Sequence, residues 1–403
     1  MSRIDDLIAD LCPDGVPHKP LGKVGTFIRG NGLQKTDLTD NGTPAIHYGQ
    51  VHTHYGVWAT TTKSFTDPAL AARLRRAEPG DLIIATTSED DAAVAKATAW
   101  IGQGEVAVSG DAYIYRHVLE PRYVAYFFQS EHFQDQKVRY ITGAKVRRVS
   151  GDSLAKIHIP VPPLEVQREI VRILDQFTRL EAELEAELEA RRAQYAHYRD
   201  ALVVEESAPD WIALGDVAEF KYGYTHKARA EGDYRFVRIT DINPQGKLSL
   251  NDARFVDASS GADQYLVKPG DLLVARTGAT YGKTVLMGDI DRTVYASFLI
   301  RVRFKEGTLL PGYYWHFAQS EMYWRQARAL VGGGAQPQFN ANVLKMVRVP
   351  VPAPEEQQRV VDILDSFDLL VNDLSSGLPA ELAARRKQYA YYRDRLLTFK
   401  EAV

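Results

Sequence analysis

The sequence predicts a mixed α/β (α+β) protein of two similar globular pieces, each running into a long helix. The first reason is an internal echo. Ile159-Pro-Val-Pro-Pro-Leu-Glu-Val-Gln-Arg-Glu-Ile-Val-Arg-Ile-Leu-Asp-Gln-Phe177 returns 190 residues later as Val349-Pro-Val-Pro-Ala-Pro-Glu-Glu-Gln-Gln-Arg-Val-Val-Asp-Ile-Leu-Asp-Ser-Phe367, with ten of nineteen positions identical. Each copy leads into Ala-Arg-Arg-x-Gln-Tyr-Ala-x-Tyr-Arg-Asp-x-Leu, at 190–202 and 384–396. Solenoid units recur every ~20 to 50 residues, so this longer period marks two related halves. The second reason is that strand and helix signals alternate within each half. The third is a heptad stripe in the segment that follows each half.

The elements follow in order. Pro20-Leu-Gly-Lys-Val24 answers Ala213-Leu-Gly-Asp-Val217 near the two starts. Pro79-Gly-Asp-Leu-Ile-Ile-Ala85 matches Pro269-Gly-Asp-Leu-Leu-Val-Ala275, and a Pro-Gly turn feeding an apolar run predicts a buried strand. The aromatic spacing over 123–136 and 313–326 predicts one amphipathic helix in each half. Gly143-Ala-Lys-Val-Arg-Arg-Val-Ser150 aligns with Gly333-Gly-Ala-Gln-Pro-Gln-Phe-Asn340, in a loop before a strand at 157–161 or 347–351. Between these matches the halves diverge, above all at 29–75 and 223–265.

Pro162-Pro163 opens the first connecting helix, since proline is tolerated at a helix start. Its apolar stripe is Val166, Ile170, Ile173, Phe177, Leu180, Leu184, Leu188, Tyr195, Tyr198 and Leu202. The second copy offers Val360, Ile363, Phe367, Leu370, Leu374, Leu382, Tyr389, Tyr392 and Leu396, with four extra residues around Ser375-Ser-Gly-Leu-Pro379 that should break or kink it. Two such helices in one chain are expected to pair as an antiparallel coiled coil. The plainer alternative is two surface helices, each packed on its own domain. The expected partition is a globular domain at 1–160, helix 1 at 161–206, a second domain at 207–350 and helix 2 at 351–403.

Composition narrows the class. The chain has 403 residues, 45% hydrophobic and 25% charged, which fits an ordinary protein of two or more domains. Cys12 is the only cysteine, so disulfides and Cys-ligated zinc are excluded and a reducing cytoplasm is expected. No apolar run of about eighteen residues predicts a membrane span, and Met-Ser-Arg-Ile-Asp-Asp reads as no signal peptide. Lys plus Arg against Asp plus Glu is 18 to 18 over 1–160, 6 to 11 over 161–206, 18 to 14 over 207–350 and 7 to 9 over 351–403. The helices are acidic and the second globular piece is mildly basic. A local basic face suffices to attract phosphate despite a net charge of −3.

Order and duplication of these motifs resemble the specificity subunit of a type I restriction–modification enzyme. The resemblance rests on Val161-Pro-Pro-Leu-Glu-Val-Gln167, its partner Val351-Pro-Ala-Pro-Glu-Glu-Gln357, the Arg-Arg-x-Gln-Tyr-x-x-Tyr-Arg-Asp signature after each, and Leu11-Cys-Pro-Asp-Gly-Val16 before Pro20-Leu-Gly22. It covers essentially the whole chain. It implies two target-recognition domains, each reading one half of a split double-stranded DNA sequence, with the helices as ruler and as docking surface for two methyltransferase subunits. Up to two restriction–translocase subunits would join. It further implies no catalytic centre and no cofactor here, with S-adenosylmethionine, ATP and Mg in the partners. A coiled-coil protein-binding scaffold and a fused DNA-modification enzyme are the alternatives.

Catalytic motifs can be sought directly. The chain has no Asn-Pro-Pro-Tyr, Asp-Pro-Pro-Tyr, His-Glu-x-x-His or Gly-x-Ser-x-Gly. Gly278-Ala-Thr-Tyr-Gly-Lys-Thr284 imitates a P-loop but has three residues between its glycines where four are needed. His47, His52 and His54 lie close together without a second ligand cluster at recognisable spacing, so a polar loop is expected and no metal.

Base reading needs Arg or Lys toward guanine, Asn or Gln toward adenine and apolar groups near thymine methyls, on loops that reach the major groove. In the first domain the candidates are Arg29, Gln34, Lys35, His47, Tyr48, Gln50, Ser88, Lys145, Arg147 and Arg148. In the second they are Tyr222, Tyr224, Lys227, Arg238, Arg276, Thr277, Tyr281, Lys283, Gln336, Gln338 and Asn340. About half are expected to be solvated surface side chains. Lys145, Arg147 and Arg148 are read as phosphate anchors, and Gln336, Gln338 and Asn340 as the better base readers.

Overall fold

The computed structural model describes residues 3–203, 210–249, 251–258, 261–331, 338–373 and 375–402. Two compact units divide the chain: Met1–Glu183 with Ala383–Val403, and Leu184–Leu382.

The first unit is built on a five-stranded sheet in the order Gly25–Arg29, Ala112–His117, Leu82–Ala85, Lys96–Trp100, Trp58–Ala59. Its pairs are antiparallel except the last. The Pro-Gly-Asp turn launches the central strand for two physical reasons. Gly80 takes φ +100°, which costs a residue without Cβ nothing. Asp81 is buried, accepting from the Glu78 amide at 2.8 Å and pairing with Arg116 at 2.9 Å. A second sheet runs Ser64–Thr66, Thr43–Ile46, Val106–Val108, Arg76–Ala77.

The helix expected over 123–136 is two helices, Pro121–Gln129 and Glu131–Val138. The break falls at Ser130, whose hydroxyl accepts from the Phe133 amide at 3.3 Å and caps the second helix. Tyr123, Tyr126, Phe127, Phe128 and Phe133 are buried beneath them.

The second unit repeats this plan. Its main sheet runs Ala218–Tyr222, Leu299–Phe304, Leu272–Ala275, Thr284–Leu286, all antiparallel. Gly270 takes φ +87°, and buried Asp271 accepts from the Lys268 amide at 2.8 Å and pairs with Arg303 at 2.6 Å. The smaller sheet is Phe255–Val256, Tyr234–Val237, Thr293–Tyr295, and the covering helices are Pro311–Phe317 and Glu321–Val331.

The first connecting segment is one 40-residue helix, Leu164–Val203. The second is two helices, Pro354–Asn372 and Gly377–Leu396, broken where the sequence predicts. Asp373 stops the first of these in an extended conformation, and the hydroxyl and amide of Ser375 hold its carboxyl down at about 2. Gly377 takes φ +69°, and a Cβ there would lie 2.5 Å from the Leu370 carbonyl oxygen, so only glycine fits the restart.

In the first unit the helices run antiparallel. Phe177 stacks on Tyr392 with ring centroids 5.5 Å apart, and Glu181 pairs with Arg386 at 2.6 Å. In the second unit Tyr198 stacks on Phe367 at 5.5 Å. Not all of the apolar stripe is covered: Leu180 is 44% exposed, Tyr198 41% and Leu370 37%. A single neighbouring helix is narrower than the stripe.

The repeated glutamine in Pro-Pro-Leu-Glu-x-Gln has a structural task. Gln167 is buried, accepts from the Glu120 amide at 2.9 Å and donates to the Pro162 carbonyl at 2.8 Å. Gln357 does the same with the Leu310 amide at 2.8 Å and the Pro352 carbonyl at 2.9 Å. In each unit it fastens the start of a long helix to the turn before a covering helix.

Lys137 is fully buried, its ammonium donating to the carbonyls of Val94 at 2.9 Å and Ala92 at 3.1 Å and to the Gln134 side chain. Burial pushes its pKa down to about 8, with Asp90 and Asp91 acting the other way. An unfolded lysine titrates near ~10.4, so between about pH 8 and 10 the unfolded chain holds more protons and stability rises with pH. Lys137→Met is expected to abolish this rise. Denaturant midpoints of the two proteins between pH 7.5 and 10 test it, and a pH-independent difference would refute it.

Candidate nucleic-acid interface

In the first unit the structure gathers Arg29, Gln34, His47 and Tyr48 around one open cavity of about 330 Å³, together with Asn31, Ser109 and Asp111. Arg29 ends the strand Gly25–Arg29, donates from Nε to the Gly110 carbonyl at 3.0 Å and stands 3.7 Å from Asp111. The Tyr48 amide donates to the Ser109 hydroxyl at 2.8 Å. His47 caps the helix Tyr48–Thr53 through Nδ1, which accepts from the Gly49 amide at 3.2 Å. Burial pushes its imidazole below the ordinary range, with Asp111 opposing and Lys35 assisting. It is therefore the neutral, accepting form that the cap requires. Gln34, which lines the cavity, and Lys35 next to it in sequence are exposed.

Several expected readers are occupied by the fold instead. Gln50 closes the same helix cap, accepting from the His47 amide at 3.0 Å and donating to the Ser64 hydroxyl at 2.8 Å. Ser88 accepts from the Asp90 amide at 3.2 Å in a local turn. Arg147 pairs with Asp91 at 2.8 Å and donates to the Gly143 carbonyl at 2.7 Å, while Lys145 and Arg148 are exposed. Of the histidine cluster, His52 bonds the Thr87 carbonyl at 2.9 Å and His54 packs edge-on against Tyr55.

In the second unit Arg276 is the centre. Its Nε donates to the Ser297 carbonyl at 3.0 Å. Its guanidinium lies over the rings of Tyr222 at 5.2 Å and Phe298 at 5.5 Å, which are 43% and 50% exposed. Beside it, Thr277 and Gln338 pair through an isolated bridge, where Thr87 and Arg148 of the first unit pair within a two-residue antiparallel ladder. Tyr224 stacks on His226 with centroids 5.2 Å apart, and Lys227 is exposed.

Three further candidates here are engaged by the fold. Asn340 caps a helix: its side-chain oxygen accepts from the amides of Asn342 at 3.0 Å and Val343 at 3.1 Å. Arg238 is spent on buried Asp241 at 2.7 Å and on Asp252 at 3.3 Å. Tyr281 packs against Trp324 and Phe339 at about 6 Å. Lys283 is half-buried beside the P-loop imitation, which makes one short turn at Gly278–Thr280 and enters the strand Thr284–Leu286. No helix N-terminus follows to face a phosphate. Gln336 lies outside the described residues.

Two positions were missed from sequence. A Cβ on Gly30 would stand 2.1 Å from the Ser109 carbonyl oxygen, and one on Gly223 would stand 2.2 Å from that of Ala296. Each glycine follows the end of an edge strand and lets it close onto the opposite loop. A comparison extended past Pro20-Leu-Gly and Ala213-Leu-Gly pairs them.

The family model for the type I restriction modification DNA specificity domain matches residues 13–190 and again 210–384. The chain belongs to this family. This specificity subunit is 30% identical over 292 residues to a Haemophilus influenzae protein carrying the name type I restriction enzyme specificity subunit S.HindORF215P, covering 70% of this chain and 73% of that one. It is 32% identical over 262 residues to the Escherichia coli EcoR124I/EcoR124II specificity subunit, covering 62% and 65%. The fold matches the type I restriction–modification S subunit from M. genitalium with TM-score 0.52 and 11% identity, over 94% and 96% of the chains. A chain from a type I restriction–modification assembly matches with TM-score 0.59 and 16% identity, over 95% and 97%. The specificity role is thereby favoured over the scaffold and fused-enzyme alternatives.

Two outcomes are expected of this specificity subunit. Arg148→Ala should lower the slope of log affinity against log salt by about 1 without changing stability, whereas Arg147→Ala, which removes a solvent-exposed ion pair, should lower stability by up to about 1 kcal/mol. Salt-titrated DNA binding and thermal melting separate the two, and the reverse pattern would defeat the assignment. Gly223→Ala should displace the loop at 296–298 and abolish reading by the second unit alone, measured as loss of one half-site from the methylation pattern. Unaltered reading would show the close approach to be dispensable.

Proposed function

We propose that this specificity subunit reads a bipartite double-stranded DNA target, one half with each unit, and has no catalytic centre of its own. Two methyltransferase subunits dock on its helices and restriction–translocase subunits join that core. S-adenosylmethionine, ATP and Mg are used by those partners, and the assembly works in the cytoplasm. Among the described residues no helix is long and apolar enough to cross a membrane.

The observation that carries this reading is a scaffold shared by the two units with exchanged contents. Gly30 and Gly223, Asp81 and Asp271, and Gln167 and Gln357 do the same structural work in the two units. The side chains they present differ: Arg29, Gln34 and His47 in one, Tyr222, Arg276 and Phe298 in the other. One task on two targets requires that combination. Docking is supported by apolar helix residues left bare, Leu180 and Tyr391 in the first unit and Leu369 in the second, at 44%, 61% and 55% exposure. A groove of about 680 Å³ along the first half of the long helix adds Trp58, Arg168, Arg172 and Arg179.

The ruler has a readable unit. Ala182-Glu-Leu-Glu-Ala-Glu-Leu-Glu189 states one tetrad twice within the uninterrupted helix. A tetrad adds about 6 Å and about 40° to a helix. One base pair adds roughly 3.4 Å and roughly 34–36°. Inserting or deleting a tetrad is expected to shift the spacer by about one base pair and leave both half-sites alone. Sequencing methylated sites in cells with and without the chain tests both levels. Bipartite methylation persisting without the chain would overturn the function, and altered half-sites at the original spacer would overturn the ruler.

A further inference from the structure

The two main sheets can be superposed residue by residue through their hydrogen bonds. Ala85 pairs with Ala112 and Ala275 with Leu299, each at the end of the central strand. The next amide, of Thr86 or Arg276, donates to the carbonyl of Asp111 at 3.1 Å or of Phe298 at 3.0 Å. The Gly30 amide donates to Ala112 at 2.9 Å and the Gly223 amide to Leu299 at 3.1 Å. In this frame Arg29 stands where the second unit has Tyr222, Thr86 where it has Arg276, and Gly110 where it has Ser297.

The arginines therefore come from different strands, one from the edge strand and one from the central strand. Yet Arg29 donates Nε to Gly110 and Arg276 donates Nε to Ser297, at 3.0 Å each, and these carbonyls are equivalent. Two unrelated sequence positions deliver a guanidinium to the same point of the scaffold. Each is held in place differently, Arg29 by Asp111 and Arg276 between two exposed rings. In both, Nε makes the internal bond and the two terminal nitrogens form the end-on edge, one of which in Arg29, Nη2, stands 3.7 Å from Asp111 Oδ1. That edge matches the O6 and N7 acceptors of guanine in the major groove.

We propose that Arg29 and Arg276 are the guanine readers of the two half-sites, one fixed guanidinium in each unit. The inference rests on the reading of the chain as a bipartite DNA reader. It adds that each half-site contains a guanine at the position facing this point. A fixed side chain loses less freedom on contact, and the planar fork distinguishes guanine from the other bases. Phosphate anchoring is the competing use of the same chemistry, and it carries no sequence information.

The test uses the full chain expressed with its methyltransferase partner and a map of methylated sites. The wild type should show a guanine in each half-site. Arg276→Ala should relax one base pair of one half-site, raising methylation of sites mutated there about tenfold or more relative to the wild-type site. Arg29→Ala should do so in the other half. The half-site read by the unsubstituted unit reports that each variant is folded and assembled. Should an alanine variant give no methylation, Arg29→Gln and Arg276→Gln, checked by thermal melting, are measured by competition binding against oligonucleotides substituted at each position. A motif that stays equally sharp while binding weakens at all sequences would assign the arginines to phosphate and overturn the proposal. A wild-type motif lacking guanine in either half would also overturn it. Absence of any bipartite motif in the wild type would defeat the underlying reading instead.

Discussion

Tyr389 and its neighbours on the last helix are what the first unit lacks in its own consecutive chain. The Tyr389 hydroxyl donates to Gln129 at 2.9 Å, Leu397 is buried in the unit's main core, and Val16 pairs with the strand-like segment at Lys400–Ala402. Residues more than 250 positions apart thus close one hydrophobic core. The second unit meets the same need with the latter half of the long helix. There the Tyr195 hydroxyl lies 3.2 Å from His316 Nδ1, and His316 Nε2 lies 2.8 Å from Asp365. Neither main sheet is covered by local sequence alone: the core of each unit includes helix residues distant in the chain.

That dependence explains why the repeated motifs carry the residues they do. Gln167 and Gln357 satisfy one amide and one carbonyl that would otherwise be buried without partners, at the junction where a long helix meets its unit. Asp81 and Asp271 tie a tight turn to an arginine on the neighbouring strand. These groups hold a frame. Because the frame is fixed, the loops above it are free to differ, and Arg276 can do from one strand what Arg29 does from another.

Much of the fold was legible from pattern. The Pro-Gly-Asp strands, the two long helices and the break near Gly377 follow from apolar runs, heptads and the residues that interrupt them. The site was legible only as a region. Arg29, Gln34, His47 and Tyr48 were named, and they do surround one cavity. Gln50, Arg147, Arg238 and Asn340 were named by the same rule, and the fold engages them in caps and ion pairs. Residue type does not separate the two groups, and neither does engagement alone, since His47 also caps a helix and Arg29 also meets a carboxylate; what does is whether the fold brings the side chain to that cavity. That depends on neighbours distant in sequence.

By itself, then, the sequence determined that this specificity subunit has two copies of one scaffold with long helices between and after them. Period, turn chemistry and heptad spacing are local properties, readable without coordinates. Only the tertiary structure decided which polar side chains remain available and where two non-corresponding arginines converge. Position 29 aligns with 222, and 276 with 86, so no comparison of the two halves would pair Arg29 with Arg276. The equivalence exists in the hydrogen bonds of the sheets, because side chains from adjacent strands can reach one carbonyl from either side.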